Sequence, residues 1–70
     1  MPIDLLLTVN GEARRVPDGT SVAGLLATLG LDRRKVAVER NEEIVPRTIY
    51  DQAVLAASDR LEIVHFIGGG

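Results

Sequence analysis

Ile3-Asp4-Leu5-Leu6-Leu7-Thr8-Val9-Asn10-Gly11-Glu12-Ala13-Arg14-Arg15-Val16 is the stretch whose pattern sets the fold. Ile3, Leu5, Leu7 and Val9 fall on one face and Asp4, Leu6 and Thr8 on the other, the alternation of a half-buried strand. Asn10-Gly11 follows at once. This pair is the strongest short-range signal for a two-residue hairpin turn, because both central positions of that turn need positive φ. Residues 12–16 therefore return as a second strand, which Pro17-Asp18-Gly19 stops.

Downstream of the hairpin the period changes. Val22, Leu25, Leu26 and Leu29 recur at helical spacing, with Thr20 or Ser21 as the N-cap and Gly30 as the terminator, so residues 22–29 read as a helix. Gly24 inside it costs about 1 kcal/mol relative to alanine, which predicts that the helix lies close against the sheet at that point. Residues 31–35 read as a loop and residues 36–40 as a strand. Asn41-Glu42-Glu43 makes a turn, Ile44-Val45 a short strand ended by Pro46, and residues 48–52 one helical turn. Val54 and Leu55 read as a buried anchor, Ser58-Asp59-Arg60 as a turn, and residues 61–67 as the last strand.

Two hairpins, one helix and a final strand can bury a single core only if the helix lies across one face of a mixed sheet. The last strand then pairs parallel to the first. This is an α+β arrangement, a β-grasp of about five strands with one main helix packed across one face. Residues 1–67 form the domain, and residues 68–70 are expected to be a flexible glycine tail.

Composition narrows the function. Seventy residues make one small domain, near the lower limit for a fold held by a single core. Cysteine is absent, which rules out disulfides, thiolate metal sites and a cysteine nucleophile. No apolar run approaches the ~18 residues of a membrane span, and Met1-Pro2-Ile3-Asp4 lacks a basic leader, so a cytoplasmic protein is expected. The formal charge of −2 gives no net pull toward nucleic acid. Arg14-Arg15 and Arg33-Arg34-Lys35 are expected to be solvated turn residues.

The chemistry is expected at Gly68, Gly69 and Gly70, placed directly after strand residues. Three glycines in a row at one end arise by chance in roughly 0.03% of chains at a background near 7%. Without Cβ atoms, such a tail can enter a channel too narrow for side chains. It reaches about 10 Å when extended, enough to place the Gly70 carboxylate in a partner's active site. The chain itself carries no catalytic set. His65 is the only histidine and reads as a strand-end surface residue, no serine lies at motif spacing, and the carboxylates show no paired or metal-ligand spacing.

Several of these residues together resemble the ThiS family, the sulfur carriers of thiamine biosynthesis, with a ubiquitin-like β-grasp fold. They are Asn10-Gly11, Leu29-Gly30-Leu31-Asp32, Val45-Pro46-Arg47, Ser58-Asp59-Arg60-Leu61-Glu62-Ile63 and the final Gly69-Gly70. Two positions depart from the pattern. Glu42 stands where glycine is common, which predicts a wider second turn, and Tyr50 stands where tryptophan is common after the Val-Pro-Arg motif.

The resemblance implies a carrier with no bound cofactor and no metal, itself a substrate rather than an enzyme. A ubiquitin-activating-type adenylyltransferase would use ATP to adenylate Gly70. A persulfide donor would supply sulfur, and thiazole synthase would use the resulting thiocarboxylate. Strand parity adds a partner-binding patch: Leu6, Val64 and Phe66 are expected side by side on the sheet face opposite the helix. A monomer that docks on larger partners is expected. The alternatives are the small subunit of molybdopterin synthase, another ubiquitin-like sulfur carrier, a protein-conjugating modifier, and a β-grasp binding module with an inert tail. RNA is disfavoured by the scarcity of stacking aromatics, Tyr50 and Phe66 alone.

Overall fold

A computed structural model describes residues 4–66. The expectations placed on Ile3, Ile67 and the glycines Gly68, Gly69 and Gly70 lie outside the described residues. In chain order the elements are β1 (Asp4–Val9), β2 (Glu12–Pro17), α1 (Val22–Thr28), β3 (Val36–Arg40), β4 (Glu43–Ile44) and β5 (Arg60–His65), with 3-10 turns at Arg33–Lys35 and Arg47–Ile49. The strands form one sheet in the order β2-β1-β5-β3-β4. The last strand to be made is therefore the central one. It runs parallel to β1, with Thr8 opposite Arg60 and Val9 opposite Leu61, and antiparallel to β3 from Val36 opposite His65 to Arg40 opposite Leu61.

The core lies between the sheet and α1. Leu7, Val9, Val36, Val38, Leu61 and Ile63 face Val22, Leu25 and Leu26 of the helix. The helix is short and both its ends are capped. At its start the N–H groups of Val22 and Ala23 donate to the carbonyls of Ala53 and Tyr50, both at 2.9 Å. Gly24 N–H donates to Ser21 Oγ at 3.0 Å, so Ser21 is the cap. At its end Gly30, at φ +72°, and Leu31 donate to Ala27 and Leu26, the paired bonds of a Schellman stop. The stop makes Leu29 the C-cap and ends the helix one residue earlier than its apolar spacing suggests.

Gly24 does not mark an approach to the sheet. A Cβ there would meet Thr20 Cγ2 at 3.3 Å and Ser21 Oγ at 3.5 Å, so its smallness makes room for the capping turn. Similar local causes shift other elements. β4 begins at Glu43, because Arg40 pairs with Glu43 and Glu39 with Ile44. The turn after Pro46 starts at Arg47, where the fixed proline φ leads into a 3-10 turn. Of the expected anchor, Leu55 is buried but Val54 is exposed. Val54 bridges Ser21 through its backbone while its side chain points outward. The anchor role falls to Tyr50, 1% exposed, whose ring lies 5.6 Å beneath the Arg33 guanidinium. Arg33 in turn holds Asp51 through two bonds from Nη1, at 3.0 and 2.9 Å. This arginine is a clamp on the loop and not the freely solvated residue expected.

Both hairpin turns open with asparagine. Asn10 and Gly11 take φ +51° and +84°, and Asn41 and Glu42 take φ +52° and +70°. The second turn is therefore tight rather than wide, and Glu42 accepts a left-handed backbone that costs a residue with a Cβ about 1–2 kcal/mol. Each asparagine also reaches across to β5. Asn10 Oδ1 accepts from Ile63 N–H at 2.7 Å while its Nδ2 donates to Ile63 carbonyl at 3.2 Å. Asn41 Oδ1 accepts from Arg60 N–H at 2.9 Å and its Nδ2 donates to Asp59 at 3.0 Å.

Asp59 is the one buried charged residue among those described. Its carboxylate accepts from Ala56 N–H and Arg40 Nε, both at 2.8 Å, and from Asn41 Nδ2. Burial alone would raise its pKa. The bond from the Ala56 amide, then those from Asn41 and Arg40 and the arginine's charge, more than offset that effect, and the pKa lies below its ordinary value.

Two outcomes follow from these turns. Glu42→Gly should raise stability by about 0.5–1 kcal/mol, net of the exposed 3.2 Å contact with Arg60, and move the thermal midpoint up by a few degrees in calorimetry. A carboxyl depressed by folding contributes stability that is present above its unfolded pKa, near 3.8, and is lost as pH falls through the lower folded value. Denaturant titrations of wild type should show that loss below about pH 4. Asp59→Asn should be less stable at neutral pH, by about 2–3 kcal/mol, and should lose less on acidification.

Candidate functional site

The site is built where β5 leaves the sheet. Side chains alternate along this strand, so Leu61 and Ile63 enter the core while Glu62 and Val64 face the side opposite the helix. Phe66 follows with the same parity, 52% exposed. Its N–H donates to the Lys35 carbonyl at 3.0 Å, the last tie between this strand and the body of the domain among the described residues. The Arg47 guanidinium lies 5.4 Å from the Phe66 ring centre and its Nη2 donates to Val36 carbonyl at 3.4 Å. Thus the start of β3, the Val45-Pro46-Arg47 segment and the end of β5 meet at the root of the glycine tail. His65 is exposed there, on a shallow groove shared with Arg14.

The structure brings Val64 and Phe66 together and separates Leu6 from them. Because Thr8 is level with Arg60, Leu6 lies behind that point and Val64 ahead of it, about 20 Å apart along the strands at ~3.3 Å per residue. Leu6 borders its own depression with Thr8, Ala13 and Ser58. Val64 instead neighbours Ala37, directly opposite it on β3, and Ile44, which at 75% exposed is the barest large apolar side chain described. Parity assigned the correct face to all three residues. It cannot give the stagger of a parallel pair, which depends on where the connecting loop releases β5. Ala37 and Ile44 escaped the sequence reading for the same reason, although the alternation Val36-Ala37-Val38-Glu39 contained the signal for Ala37.

Among the described residues no three potential metal ligands cluster, and no helix is long and apolar enough to cross a membrane. The ion pairs at this end, Arg33 with Asp51 and Arg34 with Asp32, are exposed. The Asp32 carboxyl lies at about 2, held down chiefly by the hydrogen bond from the Arg34 side chain.

Comparison with known proteins assigns this architecture. Residues 7–70 match the model of the ThiS family. The chain belongs to the ThiS family. It is 39% identical over 66 residues to the sulfur carrier protein ThiS of Bacillus subtilis, covering 93% of this chain and 100% of that one. The crystal structure of the thiamine biosynthesis protein ThiS of Geobacter metallireducens superposes with a TM-score of 0.80 at 33% identity, covering 94% and 100% of the two chains. Two other relatives are named thiazole synthase. The Paramagnetospirillum magneticum protein is 55% identical over 91% of this chain, and that of Magnetococcus marinus 50% identical over 89%. The chain spans about a fifth of the length of these two relatives, 20% and 19%.

In this ThiS-family chain the Val45-Pro46-Arg47 motif has a physical role. Val45 is buried, Pro46 sets the turn, and Arg47 covers the ring at the tail root. Among the described residues no carboxylate pairs with Arg47 within 4.0 Å. Arg47→Ala should remove a half-exposed cation–π contact worth about 0.5–1 kcal/mol. Hydrogen exchange followed by NMR should show the Phe66 amide exchanging about two- to fivefold faster, with Leu61 unchanged.

Proposed function

We propose that this chain is a cytoplasmic sulfur carrier of thiamine biosynthesis, acting through the carboxylate of Gly70. The match to the ThiS family over residues 7–70 carries the proposal, because it takes in the glycines together with the domain that presents them. Gly70 carboxylate attacks the α-phosphorus of ATP on a ubiquitin-activating-type adenylyltransferase and pyrophosphate leaves. The terminal sulfur of a persulfide donor then attacks the activated acyl carbon and expels AMP. A thiol cleaves the acyl disulfide so formed and releases the thiocarboxylate, which thiazole synthase consumes. The names of the two thiazole synthase relatives support that last partner.

In this scheme the chain is a protein substrate and its partners do the chemistry. Glycine suits the reacting end because its acyl carbon is the least hindered, and Gly68-Gly69 leaves the partner free to impose the reactive geometry. The folded domain supplies binding. Val64 and Phe66, with Ala37 and Ile44 beside them, are the docking face, and Leu6 belongs to a separate part of the surface.

Intact mass spectrometry of the protein purified alongside its natural partners tests the scheme. A species heavier by the exchange of one oxygen for sulfur, placed at Gly70 by fragmentation, is expected. An unmodified mass in the presence of activating enzyme, ATP and persulfide donor would overturn it. Phe66→Asp should lower kcat/KM for adenylation about tenfold or more while moving the thermal midpoint by only a few degrees.

A further inference from the structure

Phe66 lies one residue past the last strand pair of β5, His65 opposite Val36. Among the described residues its backbone has one tie, to the Lys35 carbonyl. A half-exposed ring in that place is not held by core packing, and its side chain has three staggered wells to choose from. Arg47 is the side chain that lies against it, and Arg47 stands on a fixed base. Pro46 enters the turn at φ −60°. The Arg47 carbonyl accepts from Arg33 Nη2 at 3.4 Å and from Tyr50 N–H at 3.3 Å, and Tyr50 belongs to the core. From this base the planar guanidinium makes two contacts at once. It lies 5.4 Å from the Phe66 ring centre, while its Nη2 donates at 3.4 Å to the carbonyl of Val36, the residue opposite His65. A flat group with donors along its edge can stack and donate together, and an ammonium cannot. Both contacts fall on the last turn of backbone before the glycines.

We propose that Arg47 is a positioning residue for the activation of Gly70, acting through Phe66. The inference rests on the carrier reading given above and adds to it a residue outside the docking face. By stacking on the ring and holding the start of β3, Arg47 selects in the free carrier the one orientation of Phe66 on which the adenylyltransferase docks. The affinity of a partner falls in proportion to the fraction of its target in the competent form. Selecting the ring beforehand therefore makes more encounters productive. Once the complex has formed, the partner holds Phe66 itself, so the effect belongs to binding and not to the transfer of AMP.

The test is the steady-state kinetics of the full chain as substrate of a purified ubiquitin-activating-type adenylyltransferase, read as ATP–pyrophosphate exchange. Arg47→Ala should raise KM about two- to fivefold, the range of a half-exposed cation–π contact, and leave kcat unchanged. Arg47→Lys, which keeps a charge near the ring but loses the fork, should fall between Arg47→Ala and wild type. The deciding measurement is Arg47→Ala in a Phe66→Leu background, where no ring remains to be held. There it should add nothing to the KM of Phe66→Leu alone. An equal rise in both backgrounds, from direct contact with the partner or from poorer folding, overturns the proposal. So does a fall in kcat at constant KM. Wild type that supports exchange no better than Arg47→Ala defeats the positioning role alone, and wild type that supports no exchange defeats the carrier reading.

Discussion

The Asn10 side chain holds the position on which this structure depends. β5 is the central strand, and its backbone needs partners on both edges. On one edge β3 follows it to His65. On the other, β1 ends at Val9 and turns away, leaving the Ile63 amide and carbonyl beside a hairpin turn. Asn10 supplies an acceptor at 2.7 Å and a donor at 3.2 Å to those two groups, standing in for the residue that β1 no longer provides. An unpaired backbone group in such a place costs about 1–3 kcal/mol, a large fraction of the stability of a small domain. Asparagine serves because it tolerates the left-handed turn and carries both a donor and an acceptor; aspartate or glycine meets only part of that requirement.

The far end of β5 is secured by the same kind of device. Asn41 opens the second hairpin with nearly the same φ as Asn10 and spans Arg60 and Asp59 with its amide. Asp59 then gathers the Ala56 amide and Arg40. A strand that arrives last in sequence and must slide between two others has its register fixed at both ends by turn side chains. Such fixing is needed wherever a one-residue slip would move the buried set to solvent.

These devices explain what was legible in the sequence. The alternation over Asp4 to Val9, the Asn10-Gly11 turn and the spacing of Val22, Leu25 and Leu26 are local signals, and the described elements stand where those signals put them. The five-stranded mixed sheet with a parallel central pair followed from the need to bury one face against one helix. Readings that required long-range knowledge went astray. The solvated reading of Arg33 failed because its guanidinium lies over the ring of Tyr50, seventeen residues away in sequence. The tight turn at Glu42, with its φ of +70°, is tied to the start of the final strand by bonds of Asn41 and Glu42 with Asp59 and Arg60. The separation of Leu6 from Val64 depends on parallel stagger. Of the candidate site, the face could be read and the neighbours could not, and Gly68, Gly69 and Gly70 lie outside the described residues.

The division of labour between rigid face and tail can be weighed on the carrier reading. Fixing the backbone of three residues costs about 1–2 kcal/mol each, so a partner that orders Gly68, Gly69 and Gly70 must find roughly 3–6 kcal/mol elsewhere. Full burial of a valine, isoleucine or phenylalanine side chain contributes about 1.5–3 kcal/mol. Val64, Phe66 and Ile44, each half exposed or more, can therefore contribute roughly 3–5 kcal/mol when covered, about the amount required. A hydrophobic face larger than this would cover the tail's cost with more to spare, but would also lengthen the life of every complex. A carrier that must leave one enzyme to reach the next is better served by near-balance. The exposed apolar side chains then form an arrangement in which affinity is gained only against the surface that complements them.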